Sequence, residues 1–152
     1  MPGSTTTMQA YTEALMASLG DTSLHPTLSG VSIVDGPPSG SVIQLGEFIM
    51  FGDVNGTQSW AAIDSVNRPK NEVYTIDCWI DCVGNQFHDQ KTLNDRAIAL
   101  LAEIEKELRS NIQQGIFAVL WAGITSEGLQ KRSGDTWREA WIPCQVEVHA
   151  RI

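Results

Sequence analysis

The stretch EVYTIDCWIDCVGN, residues 72–85, constrains the fold more than any other part of the chain, because it keeps to one period without interruption. Successive side chains of a strand point to opposite faces. One row is then Tyr74, Ile76, Cys78, Ile80 and Cys82, and the other is Val73, Thr75, Asp77, Trp79, Asp81 and Val83. The first row is apolar and the second amphipathic, as expected of a strand with one face in a core. Cys78 and Cys82 share a face, but four strand steps separate them by roughly 13 Å, beyond the reach of a disulfide or of two thiolates on one zinc ion. Asp77 and Asp81 are equally far apart and make a poor acid–base pair. Both cysteines are expected to be small core residues.

The rest of the chain alternates between this period and a helical one. Met8, Tyr11, Leu15 and Leu19 recur at helical spacing and Gly20 follows as a stop, which predicts a short helix over 8–19. VSIV, residues 31–34, reads as a short strand ended by the turn-rich DGPPSGS. In GEFIMFGDVNGTQSWAAI the Asn55-Gly56 pair predicts a tight hairpin between strands 47–54 and 57–64. From His88 to Gln114 the apolar stripe Leu93, Ala97, Leu100, Leu101, Ile104, Leu108 and Ile112 predicts a long amphipathic helix closed by Gly115. FAVLWAGIT reads as a buried strand, SEGLQKRSGD as a mobile loop, and TWREAWIPCQVEVHARI as a final long strand. There Ala140, Ile142, Cys144, Val146, Val148 and Ile152 alternate with Trp141, Gln145, Glu147, His149 and Arg151. The order predicts a single α+β domain over residues 8–152 behind a flexible leader, residues 1–7. Its sheet is mainly antiparallel, and the long amphipathic helix and the short N-terminal helix pack on one face.

A net charge of −8 and a pI near 4.7 speak against duplex DNA or an anionic membrane as a tight partner. No apolar run is long enough for a membrane span, and three cysteines without a CxxC fit a reducing cytoplasmic setting.

Candidate motifs fail on geometry. GPPSGS lacks the Lys-Ser/Thr and the helix of a phosphate loop, and GDVNGTQ carries its glycine at the wrong place for a calcium loop. The three histidines show no metal-ligand spacing, and no metal or cofactor is expected. A Cys82–His88 nucleophile pair is conceivable, against the simpler reading of a core thiol beside a surface-loop histidine. His25, before a proline, is expected to be solvated, and His149 to form a surface ion pair with its neighbours on the polar face. What remains unusual is that polar face. Trp79 lies between Asp77 and Asp81, while Trp137 and Trp141 share their face with Glu139, Gln145 and Glu147. Such tryptophans either anchor an interface or are covered by a loop or helix of the same subunit.

The short N-terminal helix, VSIVDGPP, EFIMFGD with its Trp-containing partner, the long strand after RPKNEVYTIDCWI, the amphipathic helix and the two closing strands together resemble the tail terminator proteins of long-tailed bacteriophages, over Met8 to Ile152. DGPPSGSVIQLG departs from that family in length. The resemblance implies a virion structural protein without catalytic activity, located at the head end of the tail and assembled in the host cytoplasm. It implies self-assembly into a ring, usually a hexamer, that stops growth of the tail tube and joins the head. The implied partners are the tail tube protein and a head-side connector protein, with genome DNA passing through the lumen without specific binding and no membrane. By role, strands 72–83 and 137–151 would face neighbouring subunits or the lumen through Asp77, Trp79, Asp81, Trp137, Trp141, Glu147 and His149. Loops 35–41 and 126–136 would contact partner rings. A head completion or stopper ring protein is the alternative within this class, and a small cysteine-dependent hydrolase or ligand-binding domain the alternative outside it.

Overall fold

The computed structural model describes residues 6–36, 45–60 and 69–152. In chain order the elements are α1 (Met8–Gly20), a 3₁₀ turn (Pro26–Leu28), β1 (Ser32–Asp35), β2 (Gly46–Trp60), β3 (Lys70–Asn85), α2 (Gln90–Ser110), β4 (Val119–Glu127), β5 (Gln130–Ser133) and β6 (Trp137–Arg151). The strands form one mixed sheet in the order β1-β2-β3-β6-β4, with β5 also paired to β6. β1 runs parallel to β2, and the other described pairings are antiparallel. The architecture is α+β.

The period of β3 dictates the layers. Tyr74, Ile76, Cys78, Ile80 and Cys82 are all buried, and they join Ala140, Ile142, Cys144, Val146 and Val148 of β6 in one core. Cys78 and Cys144 meet directly across the two strands as free thiols. α2 lays its buried stripe Leu93, Ala97, Leu100, Ile104 and Leu108 into this core, and α1 adds Tyr11, Leu15 and Leu19. Each such Leu or Ile contributes about 1.5–3 kcal/mol relative to an exposed side chain. Asp89 caps α2 by accepting the Lys91 N–H. The helix stops at Ser110, and residues 111–115 form a turn through Gln114 (φ 48°) and Gly115 (φ 74°). The predicted helix was thus a turn too long, because Ile112 continues the apolar stripe without being helical. Tyr11 joins the layers by donating its hydroxyl to the Ile112 carbonyl at 2.8 Å.

The Asn55-Gly56 hairpin is not formed. β2 runs straight through both residues, which pair with Thr75 and Tyr74 of β3, and the strand is offset by an irregularity between Phe51 and Val54. Gly56 serves a close approach instead of a turn. A Cβ there would lie 2.5 Å from the Tyr74 Cβ and 2.6 Å from the Val73 carbonyl oxygen. Gly56→Val is therefore expected to destabilise by about 1–3 kcal/mol in urea unfolding, since backbone has to move. Residues 61–64 of the predicted second strand and 37–41 of the predicted contact loop lie outside the described residues.

The segment expected to be a mobile loop contains β5, whose Gln130–Ser133 pair with Arg138–Trp141 of β6. β4 is not the buried strand its composition predicts. It sits at the sheet edge, with Val119 buried but Leu120 61% and Trp121 43% exposed, after Phe117 at 91%. No helix among the described residues is long and apolar enough to cross a membrane.

Candidate interaction face

The side of the sheet away from the core is built from cross-strand rows, because directly paired residues share a face. Phe48, Asp81 and Trp141 form one row, Met50, Trp79 and Pro143 the next, and Asp77 with Gln145 a third. Thr75 pairs with Glu147, Val73 with His149, and Asn85 with Trp137. All seven candidate residues, Asp77, Trp79, Asp81, Trp137, Trp141, Glu147 and His149, therefore lie on one face. They do not converge on one point. Gln145 donates to Asp77 at 3.1 Å, while His149 Nε2 sits 2.6 Å from a Glu147 oxygen, with its ring edge-on to Trp121 at 5.3 Å.

The tryptophans lie along the sheet, several of them over glycines. A Cβ on Gly52 would be 2.4 Å from the Trp79 ring, one on Gly123 2.8 Å from Trp121, and one on Gly134 2.4 Å from Trp137. Trp141 is covered by the Arg132 guanidinium, 4.7 Å from its ring centre. Trp79, Trp137 and Trp141 are each half-buried, so much of their apolar surface is already covered within the subunit while one side stays open.

Arg132 also ion-pairs with Glu139, which is 2% exposed and stands diagonally across from Asp81. Burial foremost, and then a hydrogen bond with Glu139 and its negative charge, push the Asp81 carboxyl up to about 8, with Arg132 opposing. The neutral acid donates to Glu139, and Asp81 Oδ1 is buried without a hydrogen-bond partner among the described residues. Beside this pair a hollow of about 470 Å³ is lined by Asp77, Trp79, Glu127, Pro143 and Gln145 among others. Ser126, Gly128, Gln130 and Cys144 complete its lining, and the carboxylates of Asp77, Glu139 and Glu147 make the face acidic.

Cys82 and His88 do line one common hollow, on a different part of the molecule. Cys82 is fully buried, and burial foremost, reinforced by the Glu47 carboxylate, pushes its thiol up to about 12. His88 is exposed and its Nδ1 is 2.9 Å from the Asn85 amide nitrogen. Cys82 is expected to react with a thiol reagent much more slowly in the native protein than in urea, at pH 8; labelling at the rate of a free thiol would restore the nucleophile.

Two buried polar clusters escaped the sequence reading. His25 is only 2% exposed, contrary to the solvated loop residue expected. Its Nδ1 lies 2.8 Å from Glu103 and its Nε2 2.9 Å from Glu107, so it ties the 3₁₀ turn to α2. Glu72 is fully buried and accepts from the Thr7 amide and hydroxyl, both at 2.8 Å, and from Gln58 at 2.9 Å. It anchors the start of α1 and with it Thr7, at the end of the expected leader. Residues 1–5 lie outside the described residues. A helix-spaced Glu103/Glu107 pair was the available signal for the His25 cluster. The described residues contain no cluster of three or more His, Cys, Asp or Glu side chains arranged to hold a metal ion.

No protein-family model matches the sequence, and no curated protein sequence matches it. Among solved structures the chain is similar to a chain of the virion of a native gene transfer agent particle, with a TM-score of 0.50 and 12% sequence identity. The match covers 93% of this chain and 98% of that one, so the two share a fold over nearly their whole lengths.

Proposed function

We propose that this protein is a virion structural subunit of a phage-like particle, a tail terminator that closes into a ring, most simply a hexamer, on the end of the tail tube. The observation that carries the reading is the end-to-end match of its fold to a chain of a virion particle. An acidic, motif-free sheet face and an apolar sheet edge support it. In the ring, the open face with Asp77 and Glu147 lines the lumen, where carboxylates repel the phosphates of passing DNA and so prevent it from sticking. The outer surfaces meet the tail tube protein on one side and a head-side connector protein on the other. The subunit performs no catalysis; the burial and raised pKa of Cys82 favour this over a cysteine hydrolase.

The direct test is tube capping. Added to polymerising tail tube protein, this protein is expected to arrest elongation at substoichiometric amounts, with annular density at one tube end. Tubes that elongate unaffected, while the protein binds the portal-side adaptor, would move the assignment to a completion or stopper ring.

A further inference from the structure

The two ends of the sheet differ in a way that fits a second copy of the chain. This inference rests on the ring reading. Among the described residues, one end is made by β4 and β5, both paired only to the outer side of β6, and the other by β1 on the outer side of β2. β4 and β5 run antiparallel to β6, whereas β6 and β2 both run antiparallel to β3 and so point the same way as each other and as β1. A second copy set beside the first in the same orientation therefore brings its β1–β2 edge to β4–β5 in the antiparallel sense. Joining unlike edges in one orientation is the head-to-tail contact from which rings are made.

The side chains at the two edges are complementary. β4 has no lysine or proline to discourage pairing, and it exposes Leu120 and Trp121. In the β4–β5 connection Leu129 is 39% exposed, with Lys131 exposed on β5 just beyond it. At the opposite edge a hollow of about 250 Å³ opens between α1 and β2, with Met8, Met16 and Val54 supplying its apolar lining and Glu13 and Asp35 its acidic rim. The levels are within two residues of each other. Leu129 falls between Glu127, opposite Cys144, and Gln130, opposite Trp141, hence level with Ile142 on the helix side of the sheet. Ile142 leads across the sheet through Ile80 and Ile49 to Ile33, two residues before Asp35 at the hollow.

We propose that the β4–β5 edge of one copy docks on the α1–β1–β2 edge of the next, with Leu129 seated in the Met8–Met16–Val54 hollow and Lys131 facing Glu13 and Asp35. The sheet then continues from subunit to subunit, the helices lie outside, and the acidic face turns inward.

The test is a chain carrying both Leu129→Cys and Met16→Cys, oxidised and run on a non-reducing gel, with mass by light scattering on the unmodified protein. The native cysteines are buried and free, so they give little background. The expected result is a ladder from the double variant and none from either single variant. Lys131→Glu should leave the fold intact and weaken association about tenfold or more, with Glu13→Lys restoring it. Annular particles without the cross-link, and indifferent to Lys131→Glu, would overturn this interface while leaving the ring reading standing. A monomer that stays so when tail tube protein is added, or a closed dimer joined through two β4 edges, would overturn both.

Discussion

Replacing His25 with alanine is expected to lower the unfolding free energy by about 3 kcal/mol at pH 7, one of the two largest single-residue effects in this protein. The imidazole bridges Glu103 and Glu107 in a nearly dry site, and its removal leaves the Glu107 carboxylate buried at 5% exposure with only part of its hydrogen bonding. Gln114 donates to the same carboxylate at 3.2 Å and receives the Ser18 hydroxyl at 3.0 Å, so the loss reaches α1 as well. Burial alone would raise the Glu107 pKa, but hydrogen bonds from Gln114, His25 and Ser18 more than offset it and hold it below the usual value. A depressed folded-state pKa stabilises the fold above the unfolded-state value and is lost as pH falls through the folded one. The difference between His25→Ala and the parent chain should therefore be full at neutral pH and shrink in acid, where Glu107 takes up a proton. Urea unfolding at fixed protein concentration across pH 3–7 measures it. A loss below about 0.5 kcal/mol, the range of ordinary surface substitutions, would mean that water replaces the ring and the cluster is not structural.

Asp81→Asn should act in the opposite direction. The Asp81 carboxyl is pushed up to about 8 from its ordinary 3.8, by burial first and by Glu139 second. Folding then favours the neutral acid, so this group costs stability progressively as pH rises from about 4 to about 8 and by a constant amount above that. An asparagine keeps the shape and a donor toward Glu139 without the charge. The variant is expected to match the parent near pH 4 and to exceed it by about 1–3 kcal/mol at pH 9. Equal stability at both pH values would show that Asp81 is ionised at no cost in the folded subunit. Glu72, whose pKa burial would raise but hydrogen bonds from Thr6, Thr7 and Gln58 lower on balance, adds to the acid-side slope set by Glu107. Maximum stability is therefore expected between the two limbs, in mildly acidic solution.

The parts of the fold legible in the sequence were those where one period runs long enough to fix every side chain. In β3 the apolar and amphipathic rows predicted for residues 73–82 match the burial of successive residues, while Val83, assigned to the amphipathic row, is buried. β6 and α2 were equally readable, and the three cysteines fell in the core because they sit in those rows. The misreadings came where local chemistry competed with long-range pairing. Asn55-Gly56 is a strong turn signal, yet β3 offers partners along the whole of β2, and the glycine is needed to let Tyr74 approach. β5 was invisible because residues 130–133 are exposed and polar, and only β6 makes them a strand. β4 looked buried from its apolar residues, although exposure at a sheet edge leaves the same composition.

The candidate face was legible in part for a similar reason. Alternation placed all seven residues on one side of the sheet, but it could not show that Trp79 lies over Gly52, a contact between strands remote in sequence. Nor could it reveal Glu139 beside Asp81, since their proximity depends on the register of β3 against β6. His25 was missed because a histidine before a proline carries no sign of the helix that will cover it.

The central claim is that the subunit closes into a ring, and its solution mass tests this most directly. Light scattering behind size-exclusion chromatography, over a range of concentrations and with negative-stain images of the largest species, should give a discrete mass of several subunits and annular particles. A monomer at every concentration, unchanged when tail tube protein is added, would contradict it.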